Sequence, residues 1–411
     1  MDNGARLAAH RILCAVERNH AYVNLSLGPL QSLSPLDASF ARALILGVSE
    51  KEILLDELLR RFVRRQPDRE IQILLRAGLY QILYMDRVPD AAACDETVAC
   101  AKTLYGRPRA DFVNAVLRSA VRSKSDLLSS VSSLPAQIRL CVSAGIRDLA
   151  EAQYPDGWED ILEAFNRTAP LFLRCNDLAV SPDELAGRLG GTAEGTRIRV
   201  EEEKSAAIRE TEQGLCFPQG YGSQEAVRAV GASEGETVVD VCACPGGKSF
   251  GMALDMKNKG TVHAFDLRSS KLSAVEKGAA RLGLSILKVR ERDGRDPDPA
   301  LAGKADRVLC DVPCSGLGEL RSKPDIRKKD PSDFGPLYET QERILASSAG
   351  YVRPGGVLVY STCTWNRLEN ESRVRAFLKD RPDFRLTEET LYLPTGPAFE
   401  GFYVARMEKR T

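Results

Sequence analysis

The sequence predicts an all-α region followed by two α/β regions, the second of which is a doubly wound, mostly parallel sheet. Three observations support this fold class. Apolar residues recur at helical spacing near the front of the chain, short extended segments mix with helices in the middle, and from about Gly235 β-branched apolar runs alternate with helical stretches. At 411 residues the chain is also long enough for more than one core.

The front region, residues 1–125, is predicted to be all-helical because its apolar residues recur at helical spacing and strand-like alternation is absent. Gly78 lies within one of these apolar stripes, where a glycine costs about 1 kcal/mol relative to alanine. Its presence there suggests that two helices pack closely. The stripes predict the helical core, which comprises Phe40, Leu44, Ile45, Val48, Ile71, Leu74, Leu75, Leu79, Ile82, Leu83, Phe112, Val113, Val116 and Leu117.

Residues 123–135 form a serine-rich segment that ends in proline, and this composition predicts a linker. A small α/β subdomain is expected over residues 135–222. It contains extended segments at LFLRCN and TRIRV, a helix around WEDILEAFNRT, and another helix that Ser181 caps and Pro182 begins. No residue of this subdomain indicates chemistry by itself.

The last region, residues 223–411, is predicted to be a doubly wound, Rossmann-like α/β domain. Its apolar runs ETVVDV, TVHAFDL, LSILKVR, ADRVLCD and GGVLVYST alternate with helical stretches, which favours a mostly parallel sheet covered on both faces. Ligands of such sheets bind at the carboxyl ends of the strands. Functional residues are therefore expected where these strands end.

The first of these strands runs into the loop CACPGGK, residues 242–248. A phosphate-binding loop would need a glycine at the position of Cys242, and a dinucleotide loop needs a Gly-x-Gly-x-x-Gly spacing that the segment lacks. Both nucleotide motifs are therefore excluded. The second strand ends at Asp266, 19 residues after Gly247, where doubly wound folds place the carboxylate that binds ribose hydroxyls.

A glycine loop without a phosphate cradle, followed by a ribose-binding carboxylate, favours a nucleoside ligand that lacks a pyrophosphate. S-adenosylmethionine is the commonest cofactor of this kind. At this point another nucleotide and a purely structural turn remain the alternatives.

Two cysteines follow adjacent strands at the expected ligand edge. Cys314 lies in CDVPCSG after the fourth strand, and Cys363 lies in YSTCTW after the fifth. Single cysteines at such positions are usually inert, but a pair beside a nucleoside site suggests thiolate chemistry. Methylation of cytosine at C5 needs a thiolate that adds to C6, a carboxylate near N3 and a base that removes the C5 proton. Asp311, Cys314 and Cys363 supply such a set.

The motifs CACPGGK, DVPCSGLGELRSKPDIRK and VYSTCTWNRLEN resemble those of the RNA cytosine-5 methyltransferases, the NOL1/NOP2/Sun group. The front segments DASFARALILGVSEKEILLDELL and ILLRAGLYQILYMDRVPDAAACDETVACAK are similar to the NusB-like domain of one bacterial branch of that family. The resemblance covers nearly the whole chain and includes a closing strand at GFYVARMEK. It implies a NusB-like RNA-binding domain over residues 1–125, an S-adenosylmethionine-dependent methyltransferase domain over residues 223–411, and 16S ribosomal RNA as the substrate.

The resemblance also implies roles for individual residues. Cys363 would be the nucleophile and Cys314 would assist proton removal and product release, although the chemistry alone does not choose between the two cysteines. Asp311 would lie by the methionine end of the cofactor and the target base, with Lys248 close to the reacting site. The implied cofactor contacts comprise Cys242, Ala243, Cys244, Pro245, Gly246, Gly247, Lys248, Asp266 at the ribose, Asp293 near the adenine, and Asp311.

The charge balance limits the expected RNA interface. Lysine plus arginine (57) equals aspartate plus glutamate (57), so the interface is expected to be local and to involve few phosphates. Five basic residues of the front region are predicted to be exposed and to dock RNA, the alternative being an ordinary solvated helix face. They are Arg60, Arg61, Arg64, Arg65 and Arg69.

No apolar run approaches the roughly 18 residues of a membrane span, so no membrane partner is expected. Eleven scattered cysteines without a secretory signal favour a reducing, cytoplasmic setting. With His10, His20 and His263 as the only histidines and no Cys-x-x-Cys pair, a metal site is not expected. The protein is expected to be a monomer.

Other functions remain open at this point. A catalytically weak RNA-binding or ribosome assembly factor would be expected to lack Cys363 or the loop glycines. A methyltransferase acting on protein or on a small molecule would not need both cysteines. Methylation of another RNA, such as transfer RNA, is a further alternative.

Overall fold

The computed structural model describes residues 4–19, 21–201 and 204–411, apart from the side chain of Lys204. Residues 1–3 of the predicted front region and His20, considered above as a metal ligand, lie outside the described residues. The chain divides into two compact units. The first comprises Met1–Ala152 and Leu320–Pro331, and the second comprises Gln153–Glu319 and Ser332–Thr411.

The first unit is helical, as predicted. Its α-helices are α1 (Gly4–Asn19), α2 (Pro35–Glu50), α3 (Glu52–Leu59), α4 (Arg69–Tyr84), α5 (Asp90–Tyr105), α6 (Arg107–Arg122), α7 (Lys124–Ser130), α8 (Ala136–Arg139) and α9 (Ala144–Gln153). Shorter 3-10 helices lie at Val23–Leu25, Gly28–Ser32, Val131–Ser133 and Pro324–Lys328. Helix α2 begins where expected for a capped helix, because Ser34 accepts the Asp37 N–H and Pro35 occupies the first turn.

The helical core contains most of the predicted residues. Phe40 is only partly buried, and Phe112 is wrong as a core residue because its side chain is 38% exposed on the outer face of α6. The close contact expected at Gly78 is confirmed, since a Cβ at that position would lie 2.6 Å from Cδ1 of Leu117. A side chain at residue 78 would therefore force Leu117, and with it the packing of α4 against α6, to shift.

The predicted linker at residues 123–135 is wrong. Most of this segment forms α7 and the 3-10 helix Val131–Ser133, and Leu127 is fully buried in the helical core. Its serines are compatible with a helix because their hydroxyls donate to carbonyls three residues earlier, as Ser130 does to Leu127. One buried leucine outweighs a composition that is typical of linkers.

The segment Leu320–Pro331 packs with the helices of the first unit although it lies between the two cysteine motifs in the sequence. The Arg327 guanidinium is 1% exposed and donates to the main-chain carbonyls of Leu140 (3.0 Å) and Leu320 (3.1 Å). Lys328 forms an ion pair of 2.7 Å with Glu52. The predicted region 223–411 is thus interrupted, and the burial of Arg327 leaves its side chain little surface for a ligand.

The second unit contains two sheets. The smaller one comprises β1 (Leu171–Cys175), β2 (Thr192–Glu194), β3 (Arg197–Val200) and β4 (Cys216–Pro218) in the antiparallel order β2-β3-β1-β4. Helices α10 (Trp158–Ala164), α11 (Pro182–Arg188) and α12 (Lys204–Glu212) lie in the same part of the chain. The predicted strands, the helix at Trp158 and the Ser181 cap, whose hydroxyl accepts the Glu184 N–H, are all confirmed.

The larger sheet has the order β10-β11-β9-β8-β5-β6-β7. Its strands are β5 (Thr237–Asp240), β6 (Thr261–Asp266), β7 (Leu287–Glu291), β8 (Ala305–Asp311), β9 (Val352–Thr362), β10 (Phe384–Tyr392) and β11 (Phe402–Lys409). The associated helices are α13 (Tyr221–Val230), α14 (Gly247–Asp255), α15 (Ser269–Arg281), α16 (Gly335–Ala349) and α17 (Glu371–Asp380), with 3-10 helices at Pro299–Leu301, Leu317–Glu319 and Pro331–Phe334. Strands β5 to β9 pair in parallel, while β10 and β11 are antiparallel. The sheet is therefore mostly parallel, as predicted, but β10 was not foreseen.

Both faces of the sheet are buried at its central strands, as predicted, whereas the edge strands β7 and β10 are largely exposed. Val238 and Val239 of β5 belong to separate apolar clusters, because successive side chains of a strand point to opposite faces. The parallel register sets Asp311 of β8 beside Ser361 of β9, so the segments that follow these strands begin next to each other. In the described part of the chain, no helix is both long and apolar enough to cross a membrane.

Candidate active site

The glycine loop, residues 242–248, connects β5 to the start of α14. Gly246 has a φ of +114°, and a Cβ there would lie 2.4 Å from the Phe250 ring, so this position accepts only glycine. A Cβ at Gly247 would meet only Gln219 and Phe217, each at 3.9 Å. The loop is thus held in shape at Gly246 and left open at Gly247.

Asp266 lies at the end of β6 and faces this loop. Its carboxylate oxygens accept the main-chain N–H of Cys244 at 3.2 Å and that of Arg268 at 3.1 Å. Each carboxylate oxygen has more than one acceptor site, so these two bonds leave capacity for hydroxyl donors. The structure therefore brings the predicted ribose residue to the predicted loop.

Asp293 follows β7 at the same edge of the sheet, but the hydrogen-bond partners of its carboxylate differ from those of Asp266. Its carboxylate accepts the main-chain N–H of Arg295 at 2.9 Å and pairs with the Arg295 guanidinium at 2.5 Å. These hydrogen bonds hold the pKa of Asp293 below its ordinary value. The structure thus fixes the carboxylate in an ionised form.

Lys248, at the end of the glycine loop, and Asp311, at the end of β8, form an ion pair. The Lys248 ammonium donates to Oδ2 of Asp311 at 2.7 Å, and the Ser361 hydroxyl donates to Oδ1 at 2.7 Å. Burial alone would lower the pKa of Lys248, but the adjacent Asp311 carboxylate outweighs it and raises that pKa. Lys248 is therefore a cation at neutral pH, and the Asp311 carboxylate is held in one orientation.

Cys314 and Cys363 lie together, as their positions after adjacent strands predicted. Their Sγ atoms are 3.1 Å apart. Each side chain is partly exposed, whereas most other cysteines of the chain are buried. The site therefore presents two neighbouring thiols to whatever binds at the strand ends.

The cysteines of the glycine loop differ from this pair. Burial raises the pKa of Cys242 well above its ordinary value, and burial together with the Asp266 charge raises that of Cys244 to about 12. Both are therefore neutral thiols near neutral pH. Their contribution is the shape of the loop, since a nucleophilic cysteine must ionise.

A buried glutamate that was not predicted from the sequence holds the two cysteine loops together. Glu369 is fully buried and accepts the main-chain N–H (2.7 Å) and hydroxyl (2.5 Å) of Ser315, as well as the side-chain amides of Gln341 (2.9 Å) and Asn366 (3.0 Å). Ser315 is next to Cys314, and its hydroxyl also contacts that of Thr364 at 3.0 Å, next to Cys363. Glu369 therefore fixes the spacing of the two thiols.

We predict that Glu369→Gln destabilises the protein by about 1–3 kcal/mol, the cost of leaving a buried polar group without its partner. All four groups that contact the Glu369 carboxylate are hydrogen-bond donors. The N–H₂ of a glutamine is also a donor, so it would face donors and could not bond to them. Thermal denaturation measures the change. The exposed Glu276→Gln is the matched control and is expected to leave the melting temperature unchanged; an equal melting temperature for both variants would contradict the prediction.

The residues at this edge fit the expected S-adenosylmethionine. Gly247 leaves space at the loop, Asp266 offers acceptors for ribose hydroxyls, and the loop has no phosphate cradle.

Three protein-family models match the chain. The model described as 16S rRNA methyltransferase RsmB/F matches residues 227–407, the NusB family model matches residues 3–122, and a ferredoxin-like domain model of RsmF/B-like methyltransferases matches residues 147–211. Their order agrees with the fold described above: helices first, then a small α/β subdomain, then a Rossmann-like sheet.

Similar proteins match over nearly the whole chain. The probable ribosomal RNA small subunit methyltransferase B of Bacillus subtilis (strain 168) is 32% identical, with 97% of each chain covered. The ribosomal RNA small subunit methyltransferase B of Cronobacter sakazakii is also 32% identical, with 98% of each chain covered.

Solved structures share the fold. PH0851 matches with a TM-score of 0.80 and 22% identity over 100% of this chain and 99% of its own. A methyltransferase homologue from Pyrococcus horikoshii matches with a TM-score of 0.58 and 25% identity over 68% of this chain and 99% of its own. NSun6 from Pyrococcus horikoshii, with SFG, has a TM-score of 0.59 and 19% identity over 66% of this chain and 98% of its own.

Proposed function

The chain belongs to the family of the ribosomal RNA small subunit methyltransferases B, and we propose that it methylates C5 of a cytosine in 16S ribosomal RNA. The observation that carries this proposal is the pair of thiols, Cys314 and Cys363, 3.1 Å apart beside the Asp311–Lys248 ion pair. A methyl group can be transferred to oxygen or nitrogen without a cysteine. Carbon 5 of a pyrimidine needs a thiolate first, because the ring carbon is a poor nucleophile until a thiolate adds to C6.

In the proposed reaction Cys363 adds to C6 of the cytosine, and the resulting enamine carries the electron pair at C5. Asp311 stabilises this adduct near N3, where the bound Lys248 ammonium and Ser361 hydroxyl keep the carboxylate in one orientation. After the C5 electron pair has formed the bond to the methyl carbon, removal of the C5 proton restores the C5=C6 double bond, and the C6–S bond breaks to release Cys363. Cys314 assists this last step, since its sulfur lies beside the Cys363 sulfur.

S-adenosylmethionine, when bound, supplies the methyl group as an electrophile. The chain would hold it at the glycine loop, with Asp266 on the ribose hydroxyls and Asp311 near the methionine end. Asp293 would face the adenine from the end of β7 while it keeps its bond to Arg295. Lys248 belongs to both the loop and the reacting site, so it links cofactor binding to the orientation of Asp311.

We predict that Asp266→Asn weakens S-adenosylmethionine binding by about 1.5–3 kcal/mol, the range for hydrogen bonds to a charged group. The asparagine keeps the shape of the side chain but removes the charge and one acceptor oxygen. Isothermal titration calorimetry of the full chain measures the change. Asp380→Asn, at an exposed position, serves as the control; equal affinity of the Asp266 variant and the control would remove Asp266 from the ribose site.

The direct test is methyl transfer from radiolabelled S-adenosylmethionine to 16S ribosomal RNA that was made without modifications. Digestion of the product to nucleosides is expected to place the label in 5-methylcytidine. Unmodified transfer RNA is the parallel acceptor, because methylation of another RNA is the competing function. Label in another nucleoside would contradict the cytosine C5 assignment, and label in transfer RNA alone would contradict the substrate.

RNA docking by the first unit is the second part of the proposal. Arg60, Arg61, Arg64, Arg65 and Arg69 lie in and beside the turn between α3 and α4, and all are exposed as predicted. Arg60 pairs with Glu57 and Arg69 pairs with Glu17. The other three arginines form no ion pair with another described residue, so their charges are available for phosphates.

We predict that the triple variant Arg61→Gln, Arg64→Gln, Arg65→Gln binds 16S ribosomal RNA more weakly and with a smaller salt dependence. Each lost phosphate contact reduces the slope of log K against log salt by about 0.7–0.9. Filter binding at several salt concentrations measures both quantities. The control triple replaces Arg107, Arg118 and Arg122 on α6, which are exposed and have partners of their own. An equal effect of the two triples would indicate nonspecific charge loss rather than docking.

A further inference from the structure

Glu319 contacts the sulfur that reacts. The structure places Oε2 of Glu319 3.2 Å from Sγ of Cys363, with the thiol as the donor. The carboxylate therefore lies where the proton of the thiol would leave when Cys363 attacks.

The backbone holds Glu319 in this place. It ends the 3-10 helix Leu317–Glu319, in which Gly318 donates to the Cys363 carbonyl at 3.0 Å and accepts the Gly401 N–H at 3.0 Å. A Cβ at Gly318 would lie 1.7 Å from the Gly401 carbonyl oxygen, so the close approach requires glycine. The turn that carries Glu319 is thus anchored to the backbone of the residue whose thiol it contacts.

The other charged groups at the site form different interactions. Asp311 is engaged by Lys248 and Ser361, and Lys248 faces both Asp311 and Cys363. Sγ of Cys314 lies 3.1 Å from Sγ of Cys363. Among these groups Glu319 is the carboxylate that accepts directly from the Cys363 thiol.

We propose that Glu319 is a catalytic residue that accepts the proton of the Cys363 thiol as the sulfur adds to C6. This inference rests on the proposed function. The S–H bond breaks, its electron pair forms the S–C6 bond, the π pair of C5=C6 moves to C5, and the proton passes to Oε2 of Glu319. When the C6–S bond breaks at the end of the reaction, sulfur takes the electron pair and Glu319 returns the proton.

Two measurements on Glu319→Gln test this role, because they are expected to move in opposite directions. General base assistance typically contributes 10²–10⁴-fold, so single-turnover methyl transfer to 16S ribosomal RNA is expected to fall on the order of 100-fold. A neighbouring negative charge disfavours a thiolate, so removing it lowers the pKa of Cys363. Alkylation of Cys363 by iodoacetamide, which needs no RNA and no methyl donor, is therefore expected to become faster at neutral pH.

The alkylated peptides are separated by mass spectrometry, so that Cys363 is read apart from the other thiols. The buried Cys310 reports on unfolding and is expected to stay unreactive in every variant. Glu276→Gln removes the same charge from an exposed position of α15 and is expected to change neither readout. Glu319→Asp, which keeps the carboxylate on a shorter side chain, is expected to recover part of the methyl transfer.

Each outcome has a separate meaning. Unchanged or faster methyl transfer by Glu319→Gln would overturn the role as proton acceptor. Unchanged or slower alkylation of Cys363 would show that the carboxylate does not face the thiol in solution, and would also overturn it. If the wild-type protein transfers no methyl group to cytosine, the proposed function fails, while the alkylation result still reports whether Glu319 contacts Cys363.

Discussion

Replacing Cys363 by alanine is expected to abolish methyl transfer, with a loss of at least roughly 10⁴-fold, as for other enzymes that lose a covalent nucleophile. Without the thiolate the C5=C6 bond of cytosine stays intact and C5 cannot attack the methyl group. Cofactor affinity is expected to remain, because Asp266 and the glycine loop do not depend on this side chain. Single-turnover kinetics measure the rate and calorimetry measures the affinity.

Cys14→Ser is the matched control for this variant. Cys14 is also a partly exposed free cysteine, but it lies on α1, and burial raises the pKa of its thiol to about 11. We expect its replacement to leave the rate of methyl transfer unchanged. Methyl transfer by Cys363→Ala at more than a few per cent of the wild-type rate would contradict the assignment of the nucleophile.

The second large effect is expected for Asp311→Asn, which should slow methyl transfer by on the order of 10²–10³-fold. The amide cannot stabilise the adduct near N3 as a carboxylate does. It also removes the charge that keeps the pKa of Lys248 raised, so burial would then lower that pKa. The variant is therefore expected to carry a lysine that loses its proton at a lower pH.

Single-turnover rates as a function of pH measure this second effect. The exposed Asp380→Asn, at the end of α17, is the control for a lost aspartate charge and is expected to keep the wild-type rate. A wild-type rate for Asp311→Asn would show that the ion pair with Lys248 is structural and that the adduct is stabilised by another group.

The parallel part of the sheet was predictable because each of its strands is an apolar run bounded by helical stretches. Strand β10 was not, since FRLTEETLY alternates with charged residues and pairs only with β11 at the edge of the sheet. An edge strand with an exposed face has no continuous apolar signal. The helix at residues 124–130 was missed because the segment is serine-rich, like a linker. Its one fully buried apolar side chain, Leu127, gives too weak a pattern to predict a helix.

The candidate site was partly predictable for a topological reason. Strand ends of a parallel sheet meet at one edge, so residues such as Cys314 and Cys363 were expected together although they are 49 positions apart. Glu319 and Glu369 were not foreseen, because the sequence alone does not distinguish a glutamate in a site from one that is exposed to solvent. The polar run NRLEN, shortly after the end of β9, was the available signal for Glu369, whereas nothing in the sequence distinguished Glu319.

Covalent trapping of RNA by Cys314→Ala shows directly whether Cys363 forms a bond to cytosine. The variant is expressed in bacterial cells and isolated under denaturing conditions, and any attached RNA is sequenced, with Cys363→Ala and the double variant as controls. If Cys363 is the nucleophile, 16S ribosomal RNA is bonded to it through one cytosine in the first variant, and no RNA is attached in either control. An adduct that persists in Cys363→Ala, or the absence of any adduct in the first variant while it still binds RNA, would mean that Cys363 is not the nucleophile.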